Sequence, residues 1–326
     1  MDKEFVKSLN QVFYDVEATG DQMNDTLIYY FTETGTAENI YSDFLTAKIE
    51  YDISSVWLRL TIGSHFLNGM ELTQLVGDTE ISINTKKDGK PEYSIMIVRP
   101  ISIHDDKLNF YQLQISNNHV LRDARQTLNL GYGHRFLSND KTKFVGFNTF
   151  IDRDIQSNSR MSVGAEIRSS AFEANGNFYK ALSESDGGGN SVGNNKERVL
   201  DGYDINLVGQ IPNMPWANIV YTDYKWIKSK NSKDSEGRIL KAEFNLTDTV
   251  TLEAGFDDNN ITKTEEFLKL TYSYPGKDRP TALDGISDTA FEMGDVSGEM
   301  LTKVRRTNTI TVEVEASGVV IARGNN

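Results

Sequence analysis

Between residues 126 and 274 the chain repeats one pattern: short runs in which every second residue is apolar and the residues between are polar, charged or glycine. Successive side chains of a β-strand point to opposite faces, so this two-residue period writes strands with one apolar and one polar side. In 160–170, Met161, Val163, Ala165 and Ile167 oppose Ser162, Gly164, Glu166 and Arg168. In 237–247, Leu240, Ala242, Phe244 and Leu246 oppose Lys241, Glu243 and Asn245. In 264–274, Leu268, Leu270, Tyr272 and Tyr274 oppose Lys269, Thr271 and Ser273.

Many amphipathic strands suit a sandwich, a propeller or a membrane barrel. From residue 79 onward about twelve can be counted, within the even-numbered series of outer-membrane barrels. They fall at 79–85, 92–101, 109–116, 126–136, 143–151 and 160–170, then 172–182, 200–211, 216–226, 237–246, 250–256 and 264–274. The links after odd strands (117–125, 152–159, 183–199, 227–236) are long, and those after even strands (170–171, 212–215, 247–249) are short. Sorting long loops to one rim and tight turns to the other is a membrane-barrel habit. No run approaches the roughly 18 apolar residues of a membrane helix, so a crossing must be made by strands.

Composition excludes more than it selects. The net charge of −13 speaks against a nucleic-acid footprint, and the basic run 225–233 lies among Ser, Asn and Asp as a solvated loop. There is no cysteine, hence no disulfide framework and no thiolate metal site. His65, His104, His119 and His134 are scattered, with no His-Glu-x-x-His or Gly-x-Ser-x-Gly motif, so no catalytic group and no cofactor or metal is expected. The glycine-rich stretch 186–190 lacks the Gly-Lys-Ser/Thr and helix start of a phosphate loop and reads as an outer loop. Met1 is followed by Asp2, Lys3 and Glu4 rather than a basic start and apolar run, so an exported protein would be represented here by a mature form or fragment.

Specific motifs narrow the field. The runs from Gln126 to Arg135, Gly146 to Asp154, Gly164 to Phe172, Leu200 to Gln210 continuing through Pro212 and Pro215 to Trp226, and Leu252 to Asp258 resemble successive strands of the intimin/invasin barrel, the translocator of inverse autotransporters. The likeness spans about residues 79–326. It implies an all-β, twelve-stranded antiparallel outer-membrane barrel whose chain returns through the pore to carry an adhesin on the cell surface, a form of type V secretion. Implied partners are outer-membrane lipid, the barrel-assembly machinery that reads the aromatic-ended last strand, the chain's own C-terminal passenger and, through it, a host-cell or surface receptor. The chain is expected to hold the translocator without its adhesin.

Three regions follow: 1–78, a periplasmic part with short helices at 3–16 and 37–47 and a helix or strand at 54–62; 79–275, the barrel; and 276–326, a linker through the lumen. An even strand count returns residue 274 to the rim where the barrel began. Within the linker, 287–304 has helical spacing of Phe291, Met293, Val296, Met300 and Val304, whereas 307–323 reads as extended. At about 3.3 Å per residue the latter would reach about 50 Å, more than the membrane's roughly 40–45 Å.

The inward face is expected to present Asn129, Arg135, Asn148, Glu166, Arg168, Asp204, Asn206, Gln210, Glu243, Glu253 and Lys269 to the linker, pairing with Arg305, Arg306, Glu313 and Glu315, since an unpaired charge away from water is costly. Trp216, Tyr224, Trp226, Tyr272 and Tyr274 are expected at the membrane interface. Two other functions fit the same pattern: an open pore for small solutes and a soluble β-rich binding protein.

Overall fold

The computed structural model describes residues 27–28, 45–52 and 57–64 and, from residue 78 on, all but 88, 121–122, 184–195, 229–232, 262–263, 292, 317 and 323–326. The chain divides into two units, Met1–Leu75 and Val76–Asn326. In the first, β1 (Leu27–Ile28), β2 (Leu45–Asp52) and β3 (Trp57–Ser64) form a three-stranded antiparallel sheet. The helix expected at 3–16 lies outside the described residues. That expected at 37–47 is corrected at its end, where residues 45–47 pair as strand with 62–64.

The second unit holds twelve strands closed into an antiparallel barrel. They are β4 (Asp78–Lys86), β5 (Glu92–His104), β6 (Lys107–Val120), β7 (Asp123–Leu137), β8 (Lys143–Asp154), β9 (Ser159–Ser169), β10 (Phe172–Ala181), β12 (Asp201–Ile211), β13 (Met214–Ile227), β14 (Ser235–Asn245), β15 (Val250–Asn259) and β16 (Glu265–Tyr274). The strand β11 (Lys196–Val199) belongs to the connection between β10 and β12. Neighbours follow chain order around the wall, and β16 closes the ring on β4, from Phe267 opposite Lys86 to Tyr274 opposite Thr79. Closure leaves no strand edge with unpaired backbone N–H and C=O groups, which hydrocarbon requires.

Side chains are sorted opposite to a soluble sheet. Phe147, Val163, Phe178, Leu207 and Leu268 stand outward, each about half exposed, while Asn129, Arg135 and Asp152 are fully buried inside. A barrel in lipid has this pattern, apolar band outside and polar lumen within.

The loop sorting is weaker than the sequence suggests. The ladder of β6 and β7 continues to Val120 opposite Asp123, so the expected long link 117–125 shrinks to two residues. Polar residues such as Asn118 and Arg125 face each other in that ladder. They imitate a loop because the lumen face of a barrel is itself polar. Length survives between β10 and β12 and at 228–234 between β13 and β14.

After β16 the chain turns inward. The expected helix at 287–304 is replaced by irregular backbone with a single 3-10 turn at Ser297–Glu299, and another such turn precedes it at Ala282–Asp284. The backbone groups are taken by the wall instead: Val296 N–H donates to Lys141 O, Ser287 N–H to Asn213 O, and Arg135 holds the carbonyls of Met300 and Thr302. The bonds of the Val296 N–H and the Met300 carbonyl compete directly with an i to i−4 ladder. The extended reading of 307–323 also needs correction, because β17 (Val312–Ala316) and β18 (Gly318–Ala322) double back as a hairpin. On its other edge β17 pairs with β11, so the linker ends in a three-stranded sheet with the β10–β12 connection.

Candidate functional site

The site is the lumen with the linker in it. Strand alternation sets one rim, where β4 starts and β16 ends, against a far rim that carries the β10–β12 connection. Residues 285–296 bond to turns of the first rim at Asn213 and Lys141. Residues 300–313 run through the interior, and β17 meets β11 at the far rim. The linker therefore crosses the barrel from one end to the other.

An apolar patch receives it first. Val296, Met300 and Val304 pack with Met96, Val98, Leu108, Phe110, Leu137, Phe144 and Phe150 of β5 to β8. These linker residues belong to the set whose spacing suggested a helix. Their burial is real although the helix is not, while Phe291 and Met293 stay outside on the rim.

Charge then takes over. Arg135 on β7 grips Glu166 on β9 (Nε to Oε1 2.7 Å, Nη2 to Oε2 3.1 Å) and donates from Nη1 to the carbonyls of Met300 and Thr302, each at 2.6 Å. Arg168 reaches Glu299 at 2.8 Å and donates to Thr302 Oγ1 at 2.8 Å. Lys303 meets Glu80 at 2.7 Å. Arg305 forms a two-toothed pair with Glu243 (2.6 and 2.7 Å) and donates from Nε to Glu173 at 2.9 Å. Arg306 does the same to Asp152 (3.0 and 2.7 Å) and adds Ser162 Oγ at 3.0 Å. Asp204 accepts from the Thr307 N–H at 3.1 Å and hydroxyl at 2.9 Å, and Arg160 donates to the Thr307 carbonyl. Asn129 donates to the Asn308 carbonyl at 2.8 Å, and Asn118 to Thr309 Oγ1 at 2.8 Å.

Of the residues expected to line the pore, Asn129, Arg135, Arg168, Asp204, Gln210 and Glu243 touch the linker, Gln210 through Ala290 O at 3.4 Å. Glu166 acts through Arg135. Glu253 sits between Lys241 (2.6 Å) and Lys269 (3.2 Å), Asn206 bonds Asn175, Thr222 and Asp204, and Asn148 is buried opposite Gly164. These four, with Lys269, serve the wall. In the linker, Arg305 and Arg306 find partners as expected, Glu313 is buried, and Glu315 stands opposite Lys196 in the strand ladder.

Two of the five interfacial aromatics are corrected. Tyr224 and Trp226 point into the lumen and are almost wholly buried, because the even residues of β13 pair with the inward residues Asp204 and Gly202 of β12. Tyr224 OH donates to Asp257 Oδ1 at 2.8 Å, and Trp226 packs on Tyr179 with centroids 5.1 Å apart. Tyr272 and Tyr274 do face outward near the first rim, and half-buried Trp216 donates its Nε1–H to Gly285 O at 2.6 Å.

Missed in the sequence are the inward aromatics on which the guanidinium groups lie. Arg135 is 4.5 Å from the Phe110 ring centre, Arg306 is 4.2 Å from that of Phe150, and Arg160 is 4.4 Å from that of Tyr179. Glycines make room for two of these rings: a Cβ on Gly133 would lie 2.2 Å from Phe110 Cζ, and one on Gly131 2.2 Å from Phe150 Cε1. The signal was present in β8, where Phe144, Phe150 and Asp152 share one phase with Asn148.

A closed twelve-stranded barrel, apolar outside and polar within, whose own chain occupies its lumen, defines an outer-membrane barrel protein. Residues 62–308 match the family described as "Inverse autotransporter, beta-domain", and the chain belongs to that family. It is an outer-membrane translocator domain. The barrel is similar to the structure described under "Unveiling the Mechanism Behind the in-meso Crystallization of Membrane Proteins", with TM-score 0.60 and 19% identity over 73% of this chain and 100% of the other. More distant similarity joins it to the KdgM porin (TM-score 0.41, 7% identity, 60% and 99% covered) and to an outer membrane channel from Pseudomonas putida (0.45, 11%, 61% and 96%).

Proposed function

We propose that this barrel anchors and exports an adhesin passenger carried C-terminal to the linker, and displays it beyond the far rim. The observation that carries the reading is the path of residues 285–316, which cross the lumen from the rim where the last strand ends to the rim where β17 pairs with β11. A chain held in this direction delivers whatever follows it to the far side. The barrel-assembly machinery inserts the wall, outer-membrane lipid covers its apolar band, and Tyr272, Tyr274 and Trp216 sit at the interface of the first rim. The passenger's receptor is a host-cell or other surface, and no enzymatic step enters this function.

An epitope placed after Asn326 tests the export. In intact cells the tag is expected to be open to antibody and to added protease. A tag reached only after the outer membrane is permeabilised would overturn the proposal. Replacing Glu166 and Arg168 together by Gln probes the dependence on lumen contacts, and is expected to lower the surface signal.

The alternative of an open solute pore is less well supported. Beside the linker a cavity of about 90 Å³ remains, lined by Ser82, Asn84, Gln114, Lys241, Glu253 and Lys269. That is room for a few waters.

A further inference from the structure

Arg305 and Arg306 are neighbours in sequence but bind different walls. Arg305 reaches Glu243 on β14 and Glu173 on β10, whereas Arg306 reaches Asp152 on β8. Counted around the ring, β8 and β14 stand five strands apart by the shorter way, almost opposite each other in a twelve-stranded barrel. The two side chains leave the chain toward these opposite walls, so the dipeptide acts as a strut across the lumen.

The wall around it is built for guanidinium. Each arginine has a two-toothed carboxylate partner, a geometry that a planar guanidinium satisfies and an ammonium does not. Arg306 also lies over Phe150 and near Tyr179, at 4.2 and 5.4 Å from the ring centres, held by the space at Gly131. Asp152, Glu173, Asp204 and Glu243 outnumber the wall cations beside them, Arg160 and Lys241. Arg168, 3.7 Å from Glu173, is spent on Glu299. Without the arginine pair this ring is short of positive charge.

We infer that the lumen contains a binding site for paired guanidinium groups, filled in this protein by Arg305 and Arg306, and that emptying it turns the barrel into a cation-preferring channel that an arginine dipeptide added from solution closes again. The inference rests on the linker occupying the lumen, as in the proposed function, but its readout is conductance. A failure of surface display leaves the conductance result standing, and the reverse also holds.

The test uses the full chain in planar bilayers. The wild type is expected to conduct little. Arg305→Ala with Arg306→Ala together is expected to open a conductance whose reversal potential in a potassium chloride gradient favours cations. Acetyl-Arg-Arg-amide should then block it at about a tenfold lower concentration than acetyl-Lys-Lys-amide, the advantage of two-toothed over point-charge pairing. Adding Glu243→Gln and Glu173→Gln to that variant should remove the preference for the arginine peptide. Equal block by the two peptides, absence of block, or an anion-favouring reversal potential would each overturn the inference. Heat-modifiable gel mobility reports whether the variant has folded. If it has not, the same assay on Arg305→Lys with Arg306→Lys decides: brief openings suppressed by the arginine peptide alone support the site, and a lysine pair that keeps the pore as closed as the wild type refutes it.

Discussion

Residues 281–295 and residues 300–313 belong to one linker, yet they are held by different physics. In the first stretch Leu283 and Ile286 remain about four-fifths exposed, and the chain is tethered by a few backbone bonds to turns of the rim. In the second, Val304, Arg306, Thr307, Thr309, Ile310 and Thr311 are all buried, and nearly every residue donates to or accepts from a wall strand. The apolar residues are in both. What separates the stretches is whether a wall of complementary charge surrounds them, and the irregular backbone is tolerated within the membrane because a polar lumen satisfies it.

The sharpest way to break that contrast is at Arg135. Replacing it by Ala leaves Glu166 buried without its partner and frees the Met300 and Thr302 carbonyls, a loss of about 3–5 kcal/mol for a broken buried pair. Hydrogen exchange across 300–304 should accelerate strongly. Adding Glu166→Gln should return part of the loss, so that the double variant costs less than the two singles together.

A second comparison sets two glycines against each other. Gly131→Ala drives a Cβ into Phe150 and so shifts the ring beneath Arg306, an overpacking cost of about 1–3 kcal/mol. Gly294→Ala meets nothing within 4 Å, and is expected to stay within about 0.5 kcal/mol. The midpoint of the heat-modifiable gel shift measures both, and equal shifts would erase the distinction between the stretches.

Smaller effects sharpen it. Thr307→Val removes a hydroxyl donor to Asp204 at nearly constant volume, about 1 kcal/mol, seen as faster exchange at 307–309. Met293→Ser, on the exposed stretch, should change stability by less than about 0.5 kcal/mol. A large effect there would mean that the rim contributes more to docking than its contacts suggest.

Much of the wall was legible. The alternation at 160–170, 237–247 and 264–274 placed Ile167, Leu240 and Tyr272 outward and Glu166, Glu243 and Lys269 inward, as found, because strand period is a local property. Tyr224 and Trp226 defeated that logic. Alternation puts the two on one face of β13, but residue type does not fix which side that face takes, since an aromatic ring in a lumen is indistinguishable in sequence from one at a lipid interface. The helical spacing at 287–304 failed for a related reason: a pattern of apolar residues records what must be buried, not which backbone buries it.

The chain's own alternation therefore settles that strands form, which residues share a face, and that enough strands follow one another to close a barrel. The partners across the lumen are a different matter. Arg306 and Asp152 are 154 positions apart, and Lys303 and Glu80 are 223 apart. Such pairs exist only after closure brings every wall strand around one narrow space, since a charge taken from water selects a partner by distance in three dimensions rather than along the chain.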